Sequence, residues 1–310
     1  MFFLLSTSEG AAKAAEQAEE TAHHAPIIVQ LVNHYLGQPV HDIQMKTTYK
    51  AWTWFFAKFG STPEAAFGGP YTAENAIPWY TVMFIIACII SVGLIWVLKG
   101  KLSEDEPGAG QQTLEVGVLA VRDMVSDIIG PHGAKYFPVI MTFAVLVLVS
   151  NLMGQFPLFM SPTAATSVTF ALGLSSFIYY NYIGISENGI WAHLKHLAGP
   201  IWWIGPFIFV IELISNMIRP FSLGIRLFGN MFADEKVAET IAHLFPPYTF
   251  WIVPVLLMPL GVFVALIQTF VFILLSQLYI SEVSHAPHEE HGHDHEHGHD
   301  HEHGEALAAA

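Results

Sequence analysis

Seven polar side chains recur along one otherwise apolar stretch: Glu212, Ser215, Arg219, Ser222, Arg226, Asn230 and Asp234, three or four residues apart. At 3.6 residues per turn this spacing lines them along one helical face. Leu213, Ile214, Ile218, Phe221, Leu223, Ile225, Leu227 and Phe228 cover the remainder. A charge inside an apolar span costs about 2.5–3.5 kcal/mol on insertion scales, so a stripe of this kind points to function. Arg226 is its centre. A guanidinium keeps its proton in any protein environment, so this charge must face a carboxylate, water or both. Ser222, Asn230 and Glu235 surround it within about two turns. Gln268, in the middle of a later apolar stretch, is the natural polar neighbour if the two helices pack antiparallel. Arg219, directly before Pro220, reads equally well as a side chain snorkelling to an interface. Glu212 reads either as an ion-path group or as a solvated position in a water-filled vestibule.

These residues need elements that hold them at membrane depth, and the composition supplies them. Of 310 residues 53% are apolar and only 12% are charged, about half the charge of an average soluble domain. Long stretches carry no charge at all, as segments in lipid do. Much of the net charge of −14 sits at the two ends, in residues 9–20 and 294–305, so it says little about partners. The first span expected is Ile77 to Leu98, with Trp79, Tyr80 and Trp96 as interface anchors and Lys99 and Lys101 as its stop. Phe137 to Phe156 is the second and Thr163 to Ile185 the third, joined by a hairpin that Pro157 and Pro162 punctuate. Ile201 to Phe232 and Tyr248 to Ile280 each exceed the roughly 20 residues a crossing needs, which implies strong tilt.

Two further helices are expected outside the crossings. Pro26 to Leu36 reads as a short amphipathic helix through Ile27, Ile28, Leu31, Val32 and Tyr35. In Gln111 to Ile129 the apolar Leu114, Val118, Val121, Val125 and Ile128 recur at helical spacing, while Arg122, Asp123 and Asp127 keep it along the surface. Aromatic density at Trp52, Trp54, Phe55 and Phe56, before the turn at Gly68, Gly69 and Pro70, suits the lipid–water boundary. The fold expected is an all-α polytopic membrane protein with about five transmembrane helices. Its parts are an arm and interfacial segment (1–76), a transmembrane domain (77–282) and an acidic His-rich tail (283–310).

With five crossings, Lys99, Lys101, Arg122, Lys135 and Lys195 fall on one side, and the second-to-third connection has no Lys or Arg. The positive-inside rule then puts the N-terminus outside and the C-terminus in the cytoplasm. Met1 to Ser6 lacks a basic n-region and a long apolar run, which argues against a cleaved signal peptide. The lone Cys88 excludes an intrachain disulfide, and its simplest reading is a small hydrophobe. His132 and His243 read as interfacial histidines. In the tail, His alternates with Gly, Asp and Glu, which reads as a disordered segment or a weak divalent-metal binder.

A membrane-embedded enzyme would need a nucleophile or metal motif such as HExxH or GxSxG, and neither occurs in the spans. A secondary transporter commonly carries an internal repeat, and none is found. An independent ion channel or transporter stays open as the alternative at this level.

The stretch Pro220 to Glu235, PFSLGIRLFGNMFADE, resembles the signature of subunit a of F-type ATP synthases. SNLMGQFP at Ser150 to Pro157, PTAATSVTFALG at Pro162 to Gly173 and IQTFVFILLSQLYIS at Ile267 to Ser281 agree with it, and together the blocks cover most of residues 77–282. The resemblance implies that Arg226 corresponds to the family's essential arginine and Gln268 to its neighbouring glutamine. It implies further that Glu212, Ser222, Asn230 and Glu235 take positions associated with the ion access paths. Some members place a histidine seven residues before the glutamine, as partner to the acid on the preceding helix; here that position is Gly261. The same resemblance implies a non-catalytic proton-translocating subunit of a bacterial inner membrane. Its last two helices are then expected to form a long tilted hairpin against the subunit c ring, beside subunit b and the remaining synthase subunits. No cofactor, no metal and no nucleic acid is expected.

Overall fold

The computed structural model describes residues 26–58, 76–156, 159–189, 205–244 and 248–284. The N-terminal arm, the turn at Gly68 to Pro70, the loop with Lys195 and the His-rich tail lie outside them. Among the described residues seven α-helices follow in order: α1 (Ile27–Lys58), α2 (Trp79–Lys99), α3 (Ala109–Ile129), α4 (Phe137–Met153), α5 (Thr166–Asn188), α6 (Gly205–Leu244) and α7 (Tyr248–Ser284). Short 3-10 turns at Pro131–Lys135 and Pro162–Ala164 lead into α4 and α5. Among the described residues there is no strand. Lipid offers no backbone partners, and only a helix satisfies every peptide group within its own segment. Glycines at positive φ follow three of the helices: Gly100 (47°), Gly130 (87°) and Gly189 (78°). A side chain is rarely accommodated there.

Among the described residues four helices are long and apolar enough to cross a membrane, with spans Trp79–Lys99, Thr166–Glu187, Phe207–Ala238 and Leu256–Ser284. The fifth apolar helix, Phe137–Met153, is shorter at 17 residues, or about 26 Å at 1.5 Å per residue. Helices α6 and α7, with 40 and 37 residues, run about 60 and 56 Å, well beyond a hydrocarbon layer of about 30 Å.

The polarity of each helix follows from its contacts. Along α6 and α7, Arg219 meets Glu282 and Asn230 meets Gln268, so these two run antiparallel. Ser176 meets Ser276 and Tyr180 meets Tyr279, so α5 runs parallel to α7. Asn151 meets Thr269 and Phe143 meets Phe272, so α4 runs against α7. Helix α7 therefore lies between α4 and α5 and touches α3, α4, α5 and α6. The second and third spans run antiparallel, as their short connection leads one to expect, but the two helices pack through α7 rather than on each other.

Two other expectations change. The short helix at Pro26–Leu36 is the start of a 32-residue helix that continues through Pro39. It is tied to the bundle by the buried Asn33, whose amide donates to the Ile77 carbonyl (3.0 Å) and whose Oδ1 accepts from the Ile77 N–H (3.1 Å). Helix α3 buries Val121, Val125 and Ile129 at four-residue spacing against the bundle, and the Ser281 hydroxyl of α7 donates to its Ile128 carbonyl at 2.8 Å. It is thus a packed member of the bundle as well as an amphipathic helix. The main apolar core joins Val125 and Ile129 of α3, Ile140 and Val147 of α4, Leu172 and Tyr180 of α5, Leu223 and Leu227 of α6, and Phe272 of α7.

Candidate functional site

Helix α6 carries the polar stripe unbroken, because every residue from Glu212 to Asp234 lies in one continuous helix. Pro220 sits in the middle of it and cannot donate a hydrogen bond to the Asn216 carbonyl one turn back. Tyr180 of α5 stands beside the gap: its hydroxyl donates to the Asn216 side-chain Oδ1 and lies 3.4 Å from that carbonyl. Two glycines let α5 and α6 come this close. A Cβ at Gly173 would stand 2.7 Å from the Pro220 carbonyl oxygen, and one at Gly224 would stand 3.2 Å from that of Thr169.

The stripe divides into three groups. Nearest the N-terminal end of α6, Arg219 grips Glu282 of α7 with both guanidinium arms, Nη1 to Oε2 at 2.6 Å and Nη2 to Oε1 at 2.8 Å. Glu212 lies 3.5 Å from the same Nη2, and the guanidinium stacks 5.2 Å over the Tyr279 ring. Arg219 is therefore not a snorkelling side chain but a clamp between the two long helices. Beside it a groove of about 430 Å³ runs along Ile214, Ser215, Arg219, Ser222 and Tyr279.

The second group is central. Ser222, Arg226 and Asn230 follow at four-residue intervals, and all three are exposed on the chain's own surface. Among the described residues no carboxylate lies within ion-pair distance of Arg226. Its position is deep: 19 residues from Phe207 and 12 from Ala238 at the limits of the span, or about 28 and 18 Å. Around it Phe221 and Ile225 of α6, and Ile267 and Phe270 of α7, are exposed large apolar side chains. Gln268 is almost fully buried and its Oε1 accepts from the Asn230 amide at 2.5 Å, which leaves its Nε2 without a partner. Gln268 thus reaches the stripe at Asn230, one turn beyond Arg226.

In the third group no sequence signal joins Gln155 to the other members. Asp234 accepts at Oδ2 from Nε2 of Gln155, 2.9 Å away in the turn after α4. The carboxamide passes directly over Gly261 of α7, where a Cβ would overlap it. Glu235 is half-buried, but nine residues from Arg226 put it half a turn around an ideal helix, away from the stripe.

Hydrogen bonds hold the elements behind these groups in place. Thr163 donates to Asn151 Oδ1 at 2.7 Å, the Asn151 amide reaches Thr269 at 3.5 Å, and Thr269 donates to the Ala265 carbonyl. Ser161 donates to the Ser150 carbonyl at 3.0 Å, its hydroxyl 2.7 Å from that of Thr163. Asn151, Thr163 and Thr269 are all buried, where an unpaired polar group would be costly. This chain of bonds fixes the residue next to Gln268. Among the described residues no group of three or more His, Cys, Asp or Glu is placed to hold a metal ion.

Residues 81–281 match the model of the ATP synthase A chain family. "ATP synthase subunit a 2" of Syntrophotalea carbinolica is 42% identical over 197 residues, which cover 64% of this chain and 81% of the relative. "ATP synthase subunit a" of Geobacter sulfurreducens is 41% identical over 196 residues, 63% of this chain and 82% of the relative. That of Solibacter usitatus is 37% identical over 211 residues, 67% of this chain and 89% of the relative.

Proposed function

Because this chain belongs to the ATP synthase A chain family, we propose that it is the stator of a rotary proton path in which Arg226 faces a carboxylate of a moving partner subunit. The observation that carries this reading is Arg226 itself. It is a permanent cation at mid-span, exposed on the chain's own surface among large apolar side chains, with no acid beside it among the described residues. Lipid does not tolerate such a charge. A ring of subunit c, each copy bearing one ionisable carboxyl, supplies the missing partner.

The chemistry follows from charge alone. A protonated carboxyl is neutral and crosses the lipid-facing part of its circuit at low cost. Opposite Arg226 the ionised form is favoured, since opposite charge nearby stabilises it. A carboxyl arriving at Arg226 therefore gives up its proton on one side, and the carboxylate leaving it takes up another on the other side. The groove along Ser215, Arg219 and Ser222 is the access path on the side of the N-terminal end of α6. Asn230, Gln268 and Asp234 line the approach from the opposite side. Arg226 lies between the two paths and blocks a direct leak. Each proton gains about 2.3 kcal/mol per 100 mV of membrane potential.

Lys99, Lys101, Arg122 and Lys135 gather at the end of the bundle that holds the groove, so by the positive-inside rule that end faces the cytoplasm of a bacterial inner membrane. The C-terminus is then cytoplasmic and the N-terminus outside. Subunit b and the remaining synthase subunits complete the assembly, and this chain performs no bond-making step itself.

The test is ATP-driven proton pumping in inverted vesicles from cells carrying Arg226→Ala or Arg226→Lys, each assembled to the wild-type level. Both substitutions abolish pumping, the second because a lysine beside the ring releases its proton where arginine does not. Pumping at the wild-type rate in either variant overturns the reading.

A further inference from the structure

Three elements that are distant in sequence converge on Asp234. Its own helix presents the carboxylate one turn beyond Asn230, on the side of Arg226 opposite the groove. The turn after α4 supplies Gln155, whose backbone N–H is held by the Leu152 carbonyl at 3.0 Å. Helix α7 supplies an absence: at Gly261 no side chain stands between the two, and the carboxamide of Gln155 fills the space a Cβ would take. The orientation of that carboxamide is fixed by chemistry. An ionised carboxylate only accepts, so the Nε2 end must face it, as the 2.9 Å contact to Oδ2 has it. Oδ1 of Asp234 makes no hydrogen bond among the described residues. The carboxylate is half-buried, reachable by water on one side and anchored on the other.

We propose that Asp234 carries protons in the access path on its side of Arg226, with Gln155, passing over Gly261, as its positioning residue. The assignment rests on the stator reading and deepens it. In the step itself, Oδ1 forms an O–H bond as a hydronium ion in the access path loses one and becomes water. The same O–H then breaks toward the next acceptor, a water chain leading past Asn230 to the ring carboxylate, and Asp234 returns to its ionised form. Gln155 neither gains nor loses a proton. It holds Oδ2, so that the free oxygen, rather than either one at random, faces the path.

The experiment measures ATP-driven pumping and proton-driven ATP synthesis in vesicles containing the complete synthase. The variants are Asp234→Asn, Gln155→Leu, Gly261→Ala and the double Asp234→Asn/Gln155→Leu, with Arg226→Ala alongside and assembly quantified for each. Asp234→Asn lowers both rates about a hundredfold or more, the range positioned acid–base groups contribute. Gln155→Leu and Gly261→Ala each lower them by a smaller factor. Gly261→Ala acts only by displacing the far end of a flexible side chain, so the fold has little to absorb. In the Asp234→Asn background Gln155→Leu causes no further loss, because its effect runs through the missing carboxylate. A merely structural Gln155 would instead lower the rate by the same factor in both backgrounds. Wild-type rates in Asp234→Asn, or equal losses from Gln155→Leu with and without Asp234, overturn the proposal while Arg226→Ala stays inactive. Activity in Arg226→Ala removes the stator reading and this assignment with it.

Discussion

The close approach of α5 and α6 at Gly173 gives the firmest number to test. A Cβ there would stand 2.7 Å from the Pro220 carbonyl oxygen, while ordinary contact begins at 3.4 Å, so Gly173→Ala must part the helices by about 0.7 Å. The obstacle is backbone, which has no rotamer to move aside, and Gly224 N also lies at 3.4 Å. Overpacking of this kind costs about 1–3 kcal/mol. Replacing glycine by alanine in a helix also brings an intrinsic gain of about 1 kcal/mol, which would mask part of the effect. Gly93 of α2 provides the reference, since nothing lies within 4 Å of a Cβ built there. Both variants receive the same backbone gain, so the difference between them isolates the packing cost. Unfolding of the purified chain in mixed micelles should place Gly173→Ala about 1–3 kcal/mol below Gly93→Ala. Because the parting pushes the α6 stripe outward, toward the proposed ring, pumping should fall in Gly173→Ala and not in Gly93→Ala. Equal stability of the two variants would refute the argument from close approach.

Two further outcomes concern the ion pairs. Arg219→Lys keeps the charge but loses the two-armed grip on Glu282, and a double-mutant cycle with Glu282→Gln should give a coupling of about 1 kcal/mol, modest because both groups are partly exposed. The hydrogen bond that the Lys135 ammonium donates to Glu187 holds it above its ordinary range, while burial, with Glu187 second, pushes the Tyr136 hydroxyl up to about 12. Both groups bind their protons more tightly folded than unfolded. Their contribution is therefore whole at neutral pH and is lost as pH rises from about 10 through their folded values. Thermal melts should fall steeply across pH 10–12, and Tyr136→Phe should flatten that fall.

Whatever depends on one helix at a time is legible in the sequence. The three-and-four spacing from Glu212 to Asp234 defines a face on any α-helix, and the continuous α6 carries it unbroken. The apolar helices are visible because length and composition alone decide them. What stays hidden depends on which helix lies beside which. Arg219 reads equally well as a snorkelling side chain until Glu282, 63 residues away, is brought to it. Gln155 carries no local signal whatever; its role emerges only when α4, α6 and α7 meet at Gly261. The apolar pattern stops at Leu36 because Gly37 and Pro39 interrupt it, yet helix α1 continues through both. Asn33, a polar residue among the apolar positions of that helix, hints at docking, but its partner is a backbone group 44 residues on.

The central position of α7 bears on how the bundle is made. Ribosomes deliver the chain from its N-terminus, and the elements made first begin to organise before the last have emerged. Helices α3 to α6 all reach the membrane before the element they share, and the partners of Asn151, Ser176 and Asn230 are on α7. Until α7 inserts, Ser176 and Asn230 lack the partners that α7 brings and Asn151 has only Thr163, and α4 and α5 have little contact of their own. Pairs such as α5 with α6 can pack beforehand, but the joining of α4 to α5 and α6 around a common centre waits for the last helix, as a vault waits for its last stone.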